Sequence, residues 1–153
     1  MINELLKLNC CYLYILITEL ILKSNSNNVV TIMVKRYDSK KIEQLIYNIY
    51  KGYGFSEEES QEVAHMLIYT DLIGIESHGV QRMIMYDGFI RNGKIRVHNR
   101  PEVVKETDVS AVVDAHFGLG QLNGIYSMRL AIEKAKQHGI GMVTTRNSGH
   151  YGI

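Results

Sequence analysis

The chain has 153 residues, enough for one domain with a core of its own. It is 46% hydrophobic and 22% charged with a single proline, the balance of a folded globular protein rather than a disordered tail. Its 17 basic and 16 acidic residues leave a net charge of +1, which excludes the strongly basic footprint of an obligatory nucleic-acid or acidic-membrane binder.

The only cysteines, Cys10 and Cys11, are adjacent and make no disulfide framework, so the expected setting is a reducing cytoplasm. No Cys/His spacing fits a metal site. The run CCYLYILI at residues 10–17 is too short for a membrane span, which needs roughly 20 apolar residues. Glu4 precedes the first lysine, Lys7, and no small-residue cleavage site follows, so a signal peptide is not expected either. Residues 1–32 read as an amphipathic helix or a non-native extension, and the recognisable domain opens near Met33.

Ile42, Leu45, Ile46 and Ile49 recur at helical spacing, predicting an amphipathic helix over residues 39–51 that Gly52 and Gly54 end. Ser56 and Glu59 form a capping-box pattern for a second helix reaching about Ile73, with Val63, Ala64, Leu67, Ile68 and Leu72 as its buried stripe. Gly74 closes it. Ser77 is placed to cap a third helix that buries Val80, Ile84 and Phe89 and stops at Asn92-Gly93. Residues 95–97, 103–105 and 110–114 then read as short strands. A long helix is predicted from Gly120 to His138, with Leu122, Ile125, Met128, Ile132 and Ala135 inward, capped by Gly139 and followed by a strand over residues 140–145. Three helices followed by strands with a crossover helix describe an α+β chain.

Two groups could carry chemistry. In Glu76-Ser77-His78-Gly79, with Arg82 at i+4 from His78, a helix start and a guanidinium on one face could grip a carboxylate, while Ser77 bonds the imidazole or the ligand. The plainer alternative makes Ser77 a cap, His78 a surface residue and Arg82 a solvated charge. In RNSGHYG, residues 146–152, His150 sits in a loop after a strand, where an imidazole can take a proton near neutral pH. The alternative is a glycine-rich turn with an incidental histidine. GLGQLNG, residues 118–124, approaches a dinucleotide fingerprint, but its last glycine comes one place late and no acidic residue ends the next strand. Packing glycines at a helix start are the preferred meaning.

Three blocks, TDLIGIESHGVQRMIMYDGFIRNGKI (70–95), VVDAHFGLGQLNG (112–124) and GIGMVTTRNSGHYG (139–152), resemble in order the conserved-motif segments of the malate/L-lactate dehydrogenase family. The resemblance covers residues 33–153; Ala115-His116 departs from the family's usual Gly-Asp. It implies an N-terminal α-helical domain (33–100) and the start of a separate α/β nicotinamide-binding domain (101–153), not a doubly wound dinucleotide fold. It also implies an NAD- or NADP-dependent oxidoreductase interconverting a 2-hydroxy acid and a 2-oxo acid, working as a homodimer. On this resemblance His150 is the proton-accepting histidine, Ser77 and His78 match the motif at the active site, and Arg82 matches the substrate-binding arginine. Family members run to more than twice this length, so most cofactor-binding residues are expected beyond Ile153. The alternative is an inactive remnant or interaction fragment of such an enzyme.

Overall fold

The amphipathic stretch after Asp38 folds into helix α1 (Ser39–Tyr53), because Asp38 accepts a hydrogen bond from the Lys41 amide at 3.1 Å and so caps its first turn. Gly54 ends it in the left-handed conformation at φ 101°. Ile46, Ile49 and Tyr50 form the buried stripe. The coordinates are a computed structural model describing residues 23–24, 30–31 and 37–152. The run at residues 10–17 and the expected start at Met33 lie outside the described residues. Two short strands, β1 (Lys23–Ser24) and β2 (Val30–Thr31), pair antiparallel.

Helix α2 (Glu57–Leu72) begins with the full capping box expected of Ser56 and Glu59, an arrangement worth about 1 kcal/mol. Glu57, Glu58 and Glu59 occupy its first turn, where the helix dipole favours them. Val63, Ala64, Leu67 and Ile68 are buried as predicted, but Leu72 is 68% exposed. The chain returning through residues 76–82 docks on the neighbouring Asp71, whose carboxylate accepts the Val80 amide at 3.1 Å, and Leu72 is turned outward.

The third helix departs most from expectation. Glu76–His78 and Val80–Arg82 are two 3₁₀ turns, and helix α3 spans only Met83–Arg91. Burial follows a spacing of three through Val80, Met83 and Tyr86, the first step taken through the 3₁₀ turn and the second along one face of the α-helix. Ile84, expected inside, is 44% exposed, while Phe89 packs partly against the core. Residues 95–97 form no strand. Ile95 inserts its side chain into the core and Arg96 donates its amide to the Phe117 carbonyl at 2.8 Å, so the segment serves as a plug between helices and sheet.

Strands β3 (Glu102–Glu106), β4 (Ser110–Asp114) and β5 (Met142–Arg146) form a mixed sheet in that order. β3 and β4 are antiparallel with an irregularity between Val103 and Lys105; β4 and β5 are parallel, joined by helix α4 (Gly120–His138). The expected inward stripe of α4 is only partly right. Leu122 packs against the core, yet Met128 and Ile132 are 62% and 44% exposed. The buried face holds Gln121, Asn123, Ser127 and Lys134 instead. Polar partners explain this choice: Ser127 meets Thr145 at 2.7 Å, and Lys134 donates to Glu106 and to the Thr107 carbonyl at 2.8 and 2.6 Å. The architecture is α+β, a helical layer followed by a small mixed sheet with one crossover helix, and not a doubly wound parallel sheet. The core runs from α1–α3 through Ile95 to Leu119, at the foot of α4, which fixes the helical layer against the loop after β5.

Candidate active site

The Ser-His-Gly turn is held from below by Asp71. Gly79 lies so close to it that a Cβ there would stand 1.6 Å from Asp71 Oδ1, and only glycine lets the turn settle onto the carboxylate. Burial raises the Asp71 pKa, opposed by the hydrogen bond from Val80. Ser77 does not cap a helix, contrary to expectation: it lies inside the first 3₁₀ turn, which has no side-chain cap. Its hydroxyl bonds His78 Nδ1 at 2.8 Å. Arg82 donates through Nε to the Ser77 carbonyl at 2.6 Å, which fixes its stem beside the turn.

His150 arrives from the opposite side, on the loop that leaves β5. Asp114, at the end of β4, organises that loop. Its carboxylate accepts the His116 amide at 2.9 Å, Arg146 Nε at 2.9 Å and Asn147 Nδ2 at 3.0–3.1 Å. These bonds, the His116 amide foremost and then Asn147, hold the Asp114 pKa down to about 2. Asn123 then bridges the Gly118 carbonyl and the Ser148 hydroxyl, both at 3.1 Å. Gly120 brings α4 against the loop: a Cβ there would sit 2.2 Å from the His150 carbonyl oxygen. Gly118 and Gly120 are thus close-packing positions, whereas Gly124 makes only ordinary contact with Tyr151 at 3.8 Å.

The two halves meet ring to ring. His78 and His150 stack with centroids 5.7 Å apart and planes 23° from parallel. Tyr86, 1% exposed in the core of α3, meets His150 Nδ1 at 3.0 Å, and the Gly152 amide donates to the same nitrogen at 3.2 Å. An amide only donates, so Nδ1 accepts and the neutral ring carries its proton on Nε2. Desolvation, then Arg82 and then His78, lower the His150 pKa and so favour the neutral imidazole. All four residues singled out in the sequence, Ser77, His78, Arg82 and His150, therefore share one locus. Asp71, Tyr86, Asp114 and Gln121 were missed. Only the polar residues of α4 on an otherwise regular apolar spacing gave a hint of the last.

His78 also lines a cleft of about 270 Å³, walled by Met66, Leu67, Tyr69 and Thr70 of α2 and by Gln121 and Tyr151. Gln121 is 1% exposed, and neither its Nε2 nor its Oε1 has a hydrogen-bond partner. Burial raises the Tyr86 pKa, opposed first by a side-chain interaction with the Gln121 carboxamide, whose geometry falls short of a full hydrogen bond, and then by the Arg82 charge. Leaving such a group unpaired costs about 1–3 kcal/mol. Small and largely apolar, the cleft has room for one ring of the size of the nicotinamide that the resemblance implies, but the Gln121 carboxamide is closed off from it. Among the described residues no cluster of three His, Cys, Asp or Glu is arranged to hold a metal, and no helix is long and apolar enough to cross a membrane.

Comparison with known proteins places the sequence and fold in a family. Residues 37–153 match the family profile of malate/L-lactate dehydrogenase. The solved malate dehydrogenase of Pyrococcus horikoshii superposes with a TM-score of 0.76 at 42% identity, over 78% of this chain and 34% of that one. The malate dehydrogenase of Entamoeba histolytica superposes at 0.75 with 38% identity, over 79% and 34%. The L-sulfolactate dehydrogenase of Methanocaldococcus jannaschii is 38% identical over 121 residues, 79% of this chain and 35% of its own length. The chain spans about a third of the length of these relatives. It belongs to the malate/L-lactate dehydrogenase family.

Proposed function

We propose that this chain carries the substrate side of an NAD- or NADP-dependent 2-hydroxy-acid dehydrogenase site, built where a helical domain (33–100) meets the start of an α/β domain (101–153). The observation that carries the reading is the convergence of Arg82, His78 and His150 from segments 68 residues apart in sequence, with His150 tied to a buried tyrosine. Arg82 grips the carboxylate of a 2-hydroxy or 2-oxo acid through its fork. Ser77 and His78 line the same site, the serine holding the His78 ring in place. A bound nicotinamide supplies the hydride acceptor, or in reverse the donor, at the substrate carbon.

His150 exchanges the substrate hydroxyl proton. In the reducing direction the ring must first be protonated on both nitrogens; it then gives the Nε2 proton to the 2-oxo oxygen and is left neutral with its remaining proton on Nδ1. To accept a proton at Nε2 in the oxidising direction, the ring must carry its own proton on Nδ1. That move breaks the Gly152 contact but not the Tyr86 one, because a phenol hydroxyl both donates and accepts. Tyr86 is thus the partner that keeps the imidazole aligned in either tautomer.

The test is titration of the chain with oxamate, an inert 2-oxo acid mimic, followed by the NMR signals of His78 and His150. Saturable shifts of both, abolished in Arg82→Ala, are expected. Binding that survives Arg82→Ala would remove the substrate assignment. An assay of NADH and NADPH formation with L-malate, L-lactate, sulfolactate and ureidoglycolate tests the reaction itself. The exposed Met128, Ile132, Ile140 and Met142 favour a second reading, a fragment that acts through association. Sedimentation as a monomer across concentration would count against it.

A further inference from the structure

We propose that the outer edge of strand β5 pairs antiparallel with the same strand of a second copy of this chain, about a two-fold axis at Thr144. The proposal rests on the association reading, to which it gives a definite surface, and is independent of the dehydrogenase one. The sheet has the order β3-β4-β5, so β3 and β5 are its edges. An edge strand presents unpaired N–H and C=O groups and invites another strand unless it is protected. The two edges differ in that protection. β3 follows Pro101, carries Glu102, Lys105 and Glu106, and is irregular between Val103 and Lys105. Proline, charge and a break in register are the usual defences of an edge. β5 reads MVTTR and keeps unbroken register with β4 from Met142 to Arg146. Its one charge, Arg146, is engaged by Asp114 at 2.9 Å. Within these five residues no such defence stands.

The backbone of β5 fixes which groups face outward. The Met142 amide donates to the Val109 carbonyl at 2.9 Å, and the Arg146 carbonyl accepts from the Ala115 amide at 3.0 Å. Alternate residues of a strand turn their backbone groups to opposite edges, so those of Val143 and Thr145 point away from β4. A partner centred on Thr144 sets Val143 opposite Thr145 of the second copy, and each such pair exchanges both hydrogen bonds. The side chains are compatible in the same register. Thr145, bonded to Ser127 at 2.7 Å, marks the face that α4 covers. On the other face the exposed Met142 stands opposite Arg146 of the second copy and packs along its apolar stem, while Thr144 meets its own counterpart. No like charges oppose each other, and a net charge of +1 sets up little repulsion between copies. A two-fold axis perpendicular to the sheet keeps both copies of α4 on one face of the joined sheet, an isologous and closed arrangement. Five residues a side make an interface below about 1,200 Å², so the dimer is weak and reversible.

The experiment is sedimentation equilibrium of the full chain over micromolar to millimolar concentration, beside amide hydrogen exchange at both ends of that range. A monomer–dimer equilibrium is expected, with protection of the Val143 and Thr145 amides rising with concentration and that of Val104, on the defended edge, unchanged. Thr144→Lys sets two like charges face to face across the axis and weakens the dimer about fivefold. Thr144→Glu does the same, and an equimolar mixture of the two variants restores a dimer, because opposite charges then meet at that position. Should either variant fail to fold, the exchange measurement on the unaltered chain decides. A monomer at every concentration would overturn both this pairing and the association reading. A dimer indifferent to Thr144→Lys would overturn the pairing alone and leave association through another surface. Protection of Val143 and Thr145 that does not vary with concentration would show the edge covered within one chain, and would likewise overturn it.

Discussion

Replacing Gly120 with alanine sets a methyl group against the backbone that carries His150. The new Cβ would lie 2.2 Å from the His150 carbonyl oxygen, 2.5 Å from its carbon and 2.6 Å from the Gly149 oxygen. Backbone atoms cannot rotate away as a side chain would, so the helix start and the loop must separate by about 1 Å, at an overpacking cost of about 1–3 kcal/mol. Opposing that separation are the Asn123–Ser148 bond at 3.1 Å and the Tyr86–His150 bond at 3.0 Å, each worth about 1 kcal/mol net. The strain matches or exceeds what holds the loop, whereas α4 is anchored by Leu119 and Leu122 in the core. The loop therefore yields. Gly120→Ala is expected to lower global stability by no more than about 2 kcal/mol, the worth of the two bonds lost. It releases His150 from Tyr86 and His78, raises the imidazole pKa toward its ordinary value of about 6.5 and abolishes oxamate binding. Urea unfolding and a histidine NMR titration measure these together. Gly124→Ala is the control, because a Cβ there meets only Tyr151 at 3.8 Å. A Gly120→Ala chain with unchanged His150 titration and intact oxamate binding would refute the packing argument.

Gly79→Ala should cost about 1–3 kcal/mol in urea unfolding, since its Cβ falls 1.6 Å from Asp71 Oδ1; adding Asp71→Ala should recover part of that loss, and strict additivity would exclude the proposed clash. Arg82→Gln should raise the His150 pKa, because the guanidinium charge disfavours the imidazolium; an unmoved titration would place Arg82 too far away to hold a shared ligand. Asp114 is depressed from 3.8 to about 2, so its carboxylate stabilises the fold above its unfolded pKa, and that contribution is lost as pH falls from about 4 through about 2. Asp114→Asn should flatten the stability–pH curve in that window, and an unchanged acid limb would show that the loop is held by other groups.

The roles of Asp71, Tyr86 and Asp114 were invisible to sequence reasoning for one common reason. Each acts on a residue distant along the chain or on a neighbouring element, and no local period encodes that pairing. Tyr86 reads as one more aromatic on a short helix until His150 is placed 64 residues later. Asp114 reads as the polar end of a strand until Arg146 and Asn147 arrive on the neighbouring one.

What the amino-acid order by itself determined is what is local. The Ser56–Glu59 capping box, the ends of α1 and α4 at Gly54 and Gly139, the span of α4 and the strand at Ser110–Asp114 depend on residues within one or two turns of each other. The three family blocks and the candidate residues Ser77, His78, Arg82 and His150 were legible for the same reason, as contiguous motifs. Tertiary structure decided the rest. Docking on Asp71 tightened the Ser-His-Gly segment into 3₁₀ turns and shifted which residues of α3 are buried. The sheet supplied polar partners to Ser127 and Lys134 and left the apolar row of α4 outside. Periodicity marks the faces of an element, but its neighbours choose which face is buried, because a buried polar group is tolerated only where another element satisfies it.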